Sequence, residues 1–462
     1  MTTAATPFRA GTLPTLLLAG TVAGCSLVGH QPPPPPDPAG WWEGTLVASG
    51  VRLPLTLELR RERAGGWHGA LDMPTQYVLD DSVAQLQVDS LGFRCELPDA
   101  LPPGRLEGTV LDRGRLRGTY TATFAPDTLR GTFELWRRPE SSRPYRTEEV
   151  RFPGGAYELA GSVYTPLSPG PHPAIVFVHG SGPQSRESYI RWFADAFARR
   201  GLVTLIYDKR GTGASGGPRW PDTPGGFADL AEDAARAMAF VGRRPDVDST
   251  RLGIWGLSQG AWIAPLAGAR GARIAFAVLL SGGGVTPAEQ ELYDDEIKLR
   301  DLGFAPDQVA AAIGYLRLAD DYVRSQADAD WRRFAAARDT ARTRPWYRHL
   351  DRFPQILPRE APLWRDLRTD LDYDPAPALR TLLGPTLLVL GEEDRSTPAR
   401  RTAERVRAVL QAAGNPRLTV RLVPGADHAL QVPHDAVPWL AARPDPGWVA
   451  AMLAWADSAV AR

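Results

Sequence analysis

Between residues 173 and 428 the sequence alternates continuous apolar runs with stretches of helical spacing. The runs PAIVFVHG (173–180) and LVTLIYD (202–208) end in turn residues, as buried parallel strands do. Helical spacing is found over 188–200, between the two runs, and again over 227–241. Two further strands, 149–152 and 157–164, are predicted as a hairpin ahead of these runs. Strands joined by helices form parallel pairs, so this order predicts a mostly parallel eight-stranded sheet with helices on both faces. The later part of the series predicts strands at 251–256, 274–283, 386–390 and 418–423, with helices over 259–269 and 399–413.

Residues 284–385 interrupt this alternation with about a hundred residues of helical and loop sequence that contain no strand pattern. Helical spacing runs over 287–316, and aromatic-rich stretches follow it. A segment of this size beyond a strand end predicts a helical cap over the sheet. Its large aromatic side chains are expected to pack the cap onto the sheet and, as a group, to wall a substrate pocket: Trp331, Trp346, Tyr347 and Trp364.

Residues 40–140 have a different pattern, in which apolar and polar side chains alternate between turn signals spaced eight to twelve residues apart. This pattern predicts a small antiparallel β-domain, either a sandwich or a barrel. Trp41, Trp42 and Trp67 could form a ligand-binding face or close the ends of a barrel. The remaining residues, 145–462, contain the alternating strands and helices and the predicted cap.

The N-terminal residues are typical of an exported protein. Residues 1–24 combine a basic side chain, a short apolar stretch and small residues, as a signal peptide does. The stretch VAGC, which ends at Cys25, resembles a bacterial lipobox, so Cys25 is the expected lipidation site; a plain secretory peptide is the alternative. Five prolines at 32–36 make 25–39 a stiff linker. The sequence thus predicts a lipid anchor on a bacterial membrane, outside the cytoplasm.

Charge and cysteine content exclude several classes of function. The 462 residues carry 53 basic and 53 acidic side chains without a basic stripe, which argues against a nucleic-acid partner. The two cysteines, Cys25 and Cys95, cannot build a disulfide framework, and no His/Cys cluster has metal-ligand spacing. We therefore expect neither a metal nor another cofactor.

The stretch GLSQG (256–260) lies between the predicted strand 251–256 and the predicted helix 259–269. A G-x-S-x-G sequence at a tight strand-to-helix turn exposes the serine above the sheet and directs a helix N-terminus at it. Side chains at either glycine would collide with the neighbouring helix and strand. With this context, the sequence resembles the α/β-hydrolase superfamily, and Ser258 is the candidate nucleophile.

In that superfamily an acid follows the seventh strand and a histidine follows the eighth. The resemblance therefore implies a triad of Ser258, Asp394 in GEEDRSTP and His428 in GADHAL. Glu392 and Glu393 compete as the acid, although Asp394 matches the Gly-x-x-Asp spacing of the superfamily. His434 is the rival base.

The resemblance also implies the donors that stabilise a tetrahedral intermediate. One is the backbone N–H of Gln259; the other lies in HGSGP (179–183), with Ser181 preferred over Gly182. YDKRGTGASGG (207–217) is similar to a turn of the same superfamily, and it lacks the Gly-Lys-Ser/Thr ending of a phosphate-binding loop. Together these stretches look most like bacterial serine aminopeptidase or dienelactone hydrolase-like esterases, a resemblance that covers roughly residues 145–462.

The leading hypothesis is a serine hydrolase that cleaves a small-molecule carboxylic ester through an acyl-enzyme on Ser258. A peptidase of the prolyl oligopeptidase or aminopeptidase type is the second. A surface lipoprotein that only binds a ligand is the third; an intact triad argues against it.

Overall fold

A computed structural model describes residues 37–461, with gaps at 90, 99–100, 102, 125–126, 140–142, 188, 351–356, 433–442 and 445. The predicted signal peptide, Cys25, the proline run at 32–36 and His434 lie outside the described residues.

The N-terminal strands form a nine-stranded antiparallel sheet that curls into a barrel-like shape, so the predicted antiparallel β-domain is confirmed. In its second strand Leu53, Leu55 and Leu57 point inward and are buried, while their neighbours face outward. Its two edge strands, β4 and β5, are separated in the chain by Val83 alone, whose N–H donates to the carbonyl oxygen of Gly69 in β3 at 2.9 Å. The strands are β1 (Gly40–Ala48), β2 (Val51–Arg61), β3 (Trp67–Met73), β4 (Val78–Ser82), β5 (Ala84–Val88), β6 (Gly92–Glu96), β7 (Gly104–Asp112), β8 (Arg115–Phe124) and β9 (Asp127–Arg138).

One of the three tryptophans considered as a ligand face belongs to the interior of this barrel. Trp42 is fully buried, and its indole N–H donates to the Pro38 carbonyl oxygen at 2.9 Å. The guanidinium carbon of Arg137 lies over the ring, 4.3 Å from its centroid. Trp42 therefore stabilises the barrel core and presents no binding face.

Eight further strands form a second sheet, which is mixed. Six neighbouring strands pair in parallel, whereas the first two form an antiparallel hairpin at one edge, because a short turn can join only antiparallel strands. The order across the sheet is β10-β11-β13-β12-β14-β15-β16-β17. These strands are β10 (Tyr145–Pro153), β11 (Glu158–Pro166), β12 (His172–Val178), β13 (Val203–Tyr207), β14 (Val247–Leu257), β15 (Phe276–Leu280), β16 (Thr386–Gly391) and β17 (Leu418–Val423); a short pair follows, β18 (Gln431–Val432) with β19 (Arg443–Pro444).

Helices cover both faces of this second sheet. Successive residues of β14 show the division: Ile254 packs in the core under one set of helices, and Trp255 packs in the core under the other. The first set contains α2 (Phe227–Gly242), α3 (Gln259–Ala269) and α9 (Ala399–Ala412); the second contains α1 (Ile190–Ala198) and α10 (Pro446–Val460).

Between β15 and β16 the described chain is helical. The stretch of helical spacing over 287–316 divides into two helices, because Gly303 adopts a φ of +81° that ends the first. The large aromatics of the segment pack on one another in its own core, with Trp346 and Trp364 buried there, instead of lying on the sheet as expected. The helices are α4 (Pro287–Asp301), α5 (Pro306–Ser325), α6 (Asp328–Ala341), a 3-10 helix (Pro345–His349), α7 (Leu363–Arg368) and α8 (Ala376–Leu379).

Candidate active site

Ser258 lies at the turn between β14 and α3, with a φ of +54° that a non-glycine residue rarely adopts. Its N–H donates to the Leu280 carbonyl oxygen of the neighbouring strand at 2.8 Å. A Cβ at Gly256 would lie 2.2 Å from the Gly260 carbonyl oxygen, and one at Gly260 would lie 2.4 Å from the Val178 carbonyl oxygen. Glycine is therefore required on both sides of the serine for the strand and helix to approach this closely.

The structure brings together the three residues that the sequence predicted as a triad. His428 Nε2 lies 3.0 Å from Ser258 Oγ. On the other side of the ring, Nδ1 lies 2.9 Å and 3.0 Å from the two carboxylate oxygens of Asp394. These distances form a continuous hydrogen-bonded chain from hydroxyl to imidazole to carboxylate.

The loop after β16 places Asp394, and neither of the competing glutamates, against His428. The Asp394 side chain is fully buried, and its Oδ1 also accepts the N–H groups of Ser396 at 2.8 Å and Thr397 at 2.7 Å. Glu392 instead pairs with Arg400 at 2.8 Å, and Glu393 is exposed. The backbone of the loop thus orients the carboxylate toward the imidazole.

Electrostatics favour the protonated imidazolium of His428. Burial lowers its pKa, but the hydrogen bond and negative charge of Asp394, with the charges of Asp427 and Asp294, outweigh burial, and the net pKa is raised. The side chain remains 31% exposed, so a substrate could reach it. A histidine that takes a proton from Ser258 would be stabilised by these same charges.

Helix α4 contacts the loop after β16 that carries Asp394, and the sequence did not predict these contacts. The Tyr293 hydroxyl donates to the Asp394 carbonyl oxygen at 3.2 Å, and the Ser396 hydroxyl donates to Asp294 at 2.8 Å. The Thr397 hydroxyl lies 3.1 Å from Gln290 Oε1. Helix α4 therefore supports the loop that carries Asp394 as well as beginning the helical segment between β15 and β16.

The two segments that carry the predicted oxyanion donors border Ser258. The Gln259 N–H is the first of α3, where a helix has no acceptor of its own for it. The HGSGP loop approaches from β12: a Cβ at Gly180 would lie 3.6 Å from Ser258 Cβ. Ser181 follows on the exposed side of this loop. Both N–H groups are thus carried by segments that border the serine.

Lys209 is a functional candidate that the sequence reasoning missed. Its ammonium is buried and donates to the carbonyl oxygens of Gly180 at 2.9 Å and Gly182 at 3.2 Å, and to Gln259 Oε1 at 2.5 Å. One side chain therefore joins the HGSGP loop to the residue after the serine. A compact ammonium suits three diverging oxygens better than a planar guanidinium does.

Burial lowers the pKa of Lys209 to about 7. A signal was present in the composition, because only two of the 53 basic side chains are lysine. In a chain that uses arginine almost everywhere, the lysine in YDKRG is an exception that the sequence alone makes visible.

The other polar groups near this loop have structural roles. His179 Nε2 lies 2.6 Å from the Tyr207 carbonyl oxygen, and burial lowers its pKa to about 4. In the 207–217 turn, Asp208 pairs with Arg186 at 2.9 Å and Arg210 pairs with Asp233 at 2.7 Å. Asp208 and Arg210 are therefore both engaged in ion pairs within the protein.

Neither a metal centre nor a membrane span is found in the part of the chain that the structure describes. No three His, Cys, Asp or Glu side chains there are grouped closely enough to hold a metal ion. No helix among the described residues is both long and apolar enough to cross a bilayer.

Comparison with known proteins gives a family match and several partial relatives. The profile of the alpha/beta hydrolase family matches residues 175–445, which include Ser258, Asp394 and His428. Thiohydrolase aneE of Aspergillus aculeatus is 33% identical over 102 residues, 22% of this chain and 30% of that protein. Esterase EstD of Thermotoga maritima is 31% identical over 154 residues, 32% of this chain and 35% of that protein. The chain thus spans about a third of the length of these two relatives.

Solved structures are also similar to this chain. An esterase of Pyrococcus furiosus aligns over 68% of this chain and 92% of its own, with 14% identity and a TM-score of 0.44. A proline iminopeptidase of Mycobacterium smegmatis aligns over 68% of this chain and 99% of its own, with 18% identity and a TM-score of 0.42.

Proposed function

The chain belongs to the alpha/beta hydrolase family, and on this premise we propose that it is a serine hydrolase that cleaves carboxylic esters through an acyl-enzyme on Ser258. The observation that carries the proposal is the hydrogen-bonded chain from Ser258 Oγ through His428 to Asp394. A serine hydroxyl is a weak nucleophile unless an oriented base removes its proton, and this geometry supplies both the base and its orientation. The esterase among its relatives supports the same reaction class.

In the first half-reaction Ser258 Oγ attacks the carbonyl carbon of the ester while His428 Nε2 takes the hydroxyl proton. The carbonyl π-electrons move to the oxygen and form a tetrahedral oxyanion. Asp394 stabilises the imidazolium and keeps its Nδ1 proton directed at the carboxylate. The intermediate then expels the alkoxide, which takes the proton from His428 and leaves as the alcohol.

In the second half-reaction water replaces the serine as nucleophile. His428 takes a proton from the water as its oxygen attacks the acyl carbon, and a second tetrahedral intermediate forms. When this intermediate collapses, the proton passes to Ser258 Oγ and the carboxylic acid is released. The exposed part of the His428 side chain provides the access that the water needs.

The oxyanion is stabilised by the N–H groups of Gln259 and Ser181 in this mechanism. Lys209 donates to the backbone carbonyl oxygens on both sides of Ser181, those of Gly180 and Gly182, and to the side-chain amide oxygen of Gln259. Donors that are already in position stabilise the transition state without the cost of reorganisation. Lys209 is thus a positioning residue that acts through the HGSGP loop (179–183).

A fluorophosphonate probe followed by peptide mass spectrometry tests this proposal. We expect one probe per molecule, attached to Ser258, with no labelling in Ser258→Ala. Labelling that persists in Ser258→Ala, or none in the wild-type protein, would refute the serine mechanism and favour a ligand-binding role. Aryl esters compared with aminoacyl amides then separate an esterase, which we expect, from a peptidase.

A further inference from the structure

A turn of the N-terminal barrel inserts a tyrosine into the part of the protein that holds the candidate site. Tyr77 follows the short 3-10 helix Pro74–Gln76 that links β3 to β4, and it adopts a left-handed φ of +55°. A non-glycine residue adopts this conformation only where its surroundings compensate for the strain. Here the side chain is buried, with 6% of its surface exposed.

The ring of Tyr77 packs on α1 of the other sheet. Its centroid lies 5.1 Å from that of Trp192, edge to face, and 5.2 Å from that of Phe193. Tyr77 belongs to the same core cluster as Leu430 and Trp448, and among the described residues of the barrel it is the one that belongs to that cluster. Burial first, and the charge of Asp427 second, raise the pKa of its hydroxyl well above the ordinary value, so the hydroxyl remains a donor at neutral pH.

The Tyr77 hydroxyl donates to the carbonyl oxygen of Ala429 at 3.2 Å. Ala429 is the residue directly after His428. The next carbonyl, that of Leu430, accepts the Trp448 indole N–H at 3.0 Å. The segment that follows the candidate base is therefore held by the barrel through one carbonyl and by α10 through the other.

Contacts elsewhere keep the barrel turn in this position. Asp80, three residues after Tyr77, pairs with Arg143 at 3.2 Å, and its carbonyl oxygen accepts from Arg191 of α1 at 2.6 Å. Both arginines belong to the part of the chain outside the barrel strands. The barrel turn is thus attached to the rest of the chain at Asp80 as well as through the packed ring of Tyr77, and both attachments limit the movement of the hydroxyl away from Ala429.

We propose that the N-terminal barrel positions the catalytic histidine, and that Tyr77 is the residue through which it does so. This inference rests on the proposed function, because it assigns His428 the role of general base. His428 Nε2 must stay within hydrogen-bond reach of Ser258 Oγ while Nδ1 remains on Asp394, and displacements of about 1 Å can cost roughly 100-fold in rate. Tyr77 touches no reacting atom and acts by limiting the movement of the 427–431 turn.

The test uses Tyr77→Phe in the full-length chain, which keeps the ring and its packing and removes only the hydroxyl. Tyr120→Phe is the matched control, because Tyr120 is a buried barrel tyrosine whose hydroxyl has no partner among the described residues. With a small aryl ester we expect kcat of Tyr77→Phe to fall roughly five- to tenfold with little change in KM. Tyr120→Phe should stay within about twofold of wild type, since it loses no hydrogen bond.

The pH profile separates positioning from a general loss of folded protein. The charged groups that face His428 are Asp394, Asp427 and Asp294. A histidine that moves away from Asp394 loses its largest charge stabilisation, so the acid limb of kcat/KM should shift to lower pH in Tyr77→Phe and stay in place in Tyr120→Phe. Circular dichroism and thermal melting establish that both variants are folded.

Wild-type kcat and an unmoved acid limb in folded Tyr77→Phe would overturn the inference. Equal losses in Tyr77→Phe and Tyr120→Phe would overturn it too, because the effect would then be one of barrel stability. Ser258→Ala in the same assay distinguishes the two proposals. If Ser258→Ala retains full activity, the proposed function is wrong. If Ser258→Ala is inactive while Tyr77→Phe is fully active, only the proposed role of the barrel is wrong.

Discussion

His428 Nε2 lies 3.0 Å from Ser258 Oγ, although the two residues are 170 positions apart in the chain. They meet because Ser258 follows β14 and His428 follows β17, and parallel strands end at the same edge of the sheet. Asp394, after β16, reaches the same edge between them. The order of strands in the sheet therefore assembles the site from three loops.

The identity of the acid can be tested with two amide substitutions. Asp394→Asn should lower kcat by roughly 10³- to 10⁴-fold, because an amide leaves the imidazole in the wrong tautomer. Glu393→Gln is the control: Glu393 is exposed and adjacent, and its variant should retain nearly full activity. Steady-state kinetics on an aryl ester decide the matter, and a larger loss in Glu393→Gln would show that the acid is misassigned.

The pH dependence follows from the charges around His428. Its net pKa is raised above the ordinary 6.5, and only the neutral imidazole can accept the serine proton. Activity should therefore fall as pH decreases through a midpoint above 6.5 in kcat/KM. Asp394→Asn removes the charge that raises this pKa, so the midpoint of its residual activity should shift to lower pH. A midpoint that is the same in both proteins would contradict this electrostatic account.

Lys209→Met tests whether the Lys209 ammonium holds the HGSGP loop in position. Methionine occupies similar space but cannot donate to Gly180, Gly182 or the Gln259 amide, so we expect kcat to fall roughly 10- to 100-fold with a smaller change in KM. Arg244→Met is the control: it removes a cation that is 14% exposed from its ion pairs with Glu148 at 2.9 Å and Asp246 at 3.0 Å, before β14 and away from the serine, and should stay within about twofold. Unchanged kcat in a folded Lys209→Met would show that the loop holds its position without the ammonium.

Some elements of the fold and of the candidate site could be predicted from the sequence alone. Helix α3 was predicted over 259–269 and found over Gln259–Ala269, and β17 was predicted and found over Leu418–Val423. Such segments are predictable because buried strands are continuously apolar and a helix shows its own period. Ser258 was predictable from the G-x-S-x-G turn, and Asp394 and His428 were predictable from the resemblance to the superfamily, which implies an acid and a histidine after two strands that the sequence itself indicates.

The contacts that support the site could not be predicted in this way. The Tyr77 hydroxyl bonds to Ala429, 352 residues further along the chain, and the Tyr293 hydroxyl bonds to Asp394, 101 residues further along. Periodicity reports which face of an element is apolar, but it does not identify the partner across an interface. The aromatics of residues 284–385 illustrate the same limit: they were expected to pack on the sheet, whereas Trp346 and Trp364 are buried, and Trp331 and Tyr347 partly buried, in a core that the segment forms itself.

Cys25 allows a separate test of location, because we propose that the chain is exported and lipidated at this residue. The intact protein should then partition into detergent, and Cys25→Ser should yield a form that is either soluble or uncleaved. Mass spectrometry of the mature N-terminus measures this directly. A processed N-terminus without acyl chains would favour the plain secretory alternative.

The measurement that tests the central claim most directly is a double-mutant comparison of Ser258→Ala and His428→Ala. If the two residues act as one unit, each single variant should fold normally and retain less than about one-thousandth of wild-type kcat. The double variant should then be hardly worse than either, because the second substitution removes a group whose partner is already missing. Losses that instead multiply in the double variant would show that Ser258 and His428 do not share a mechanism.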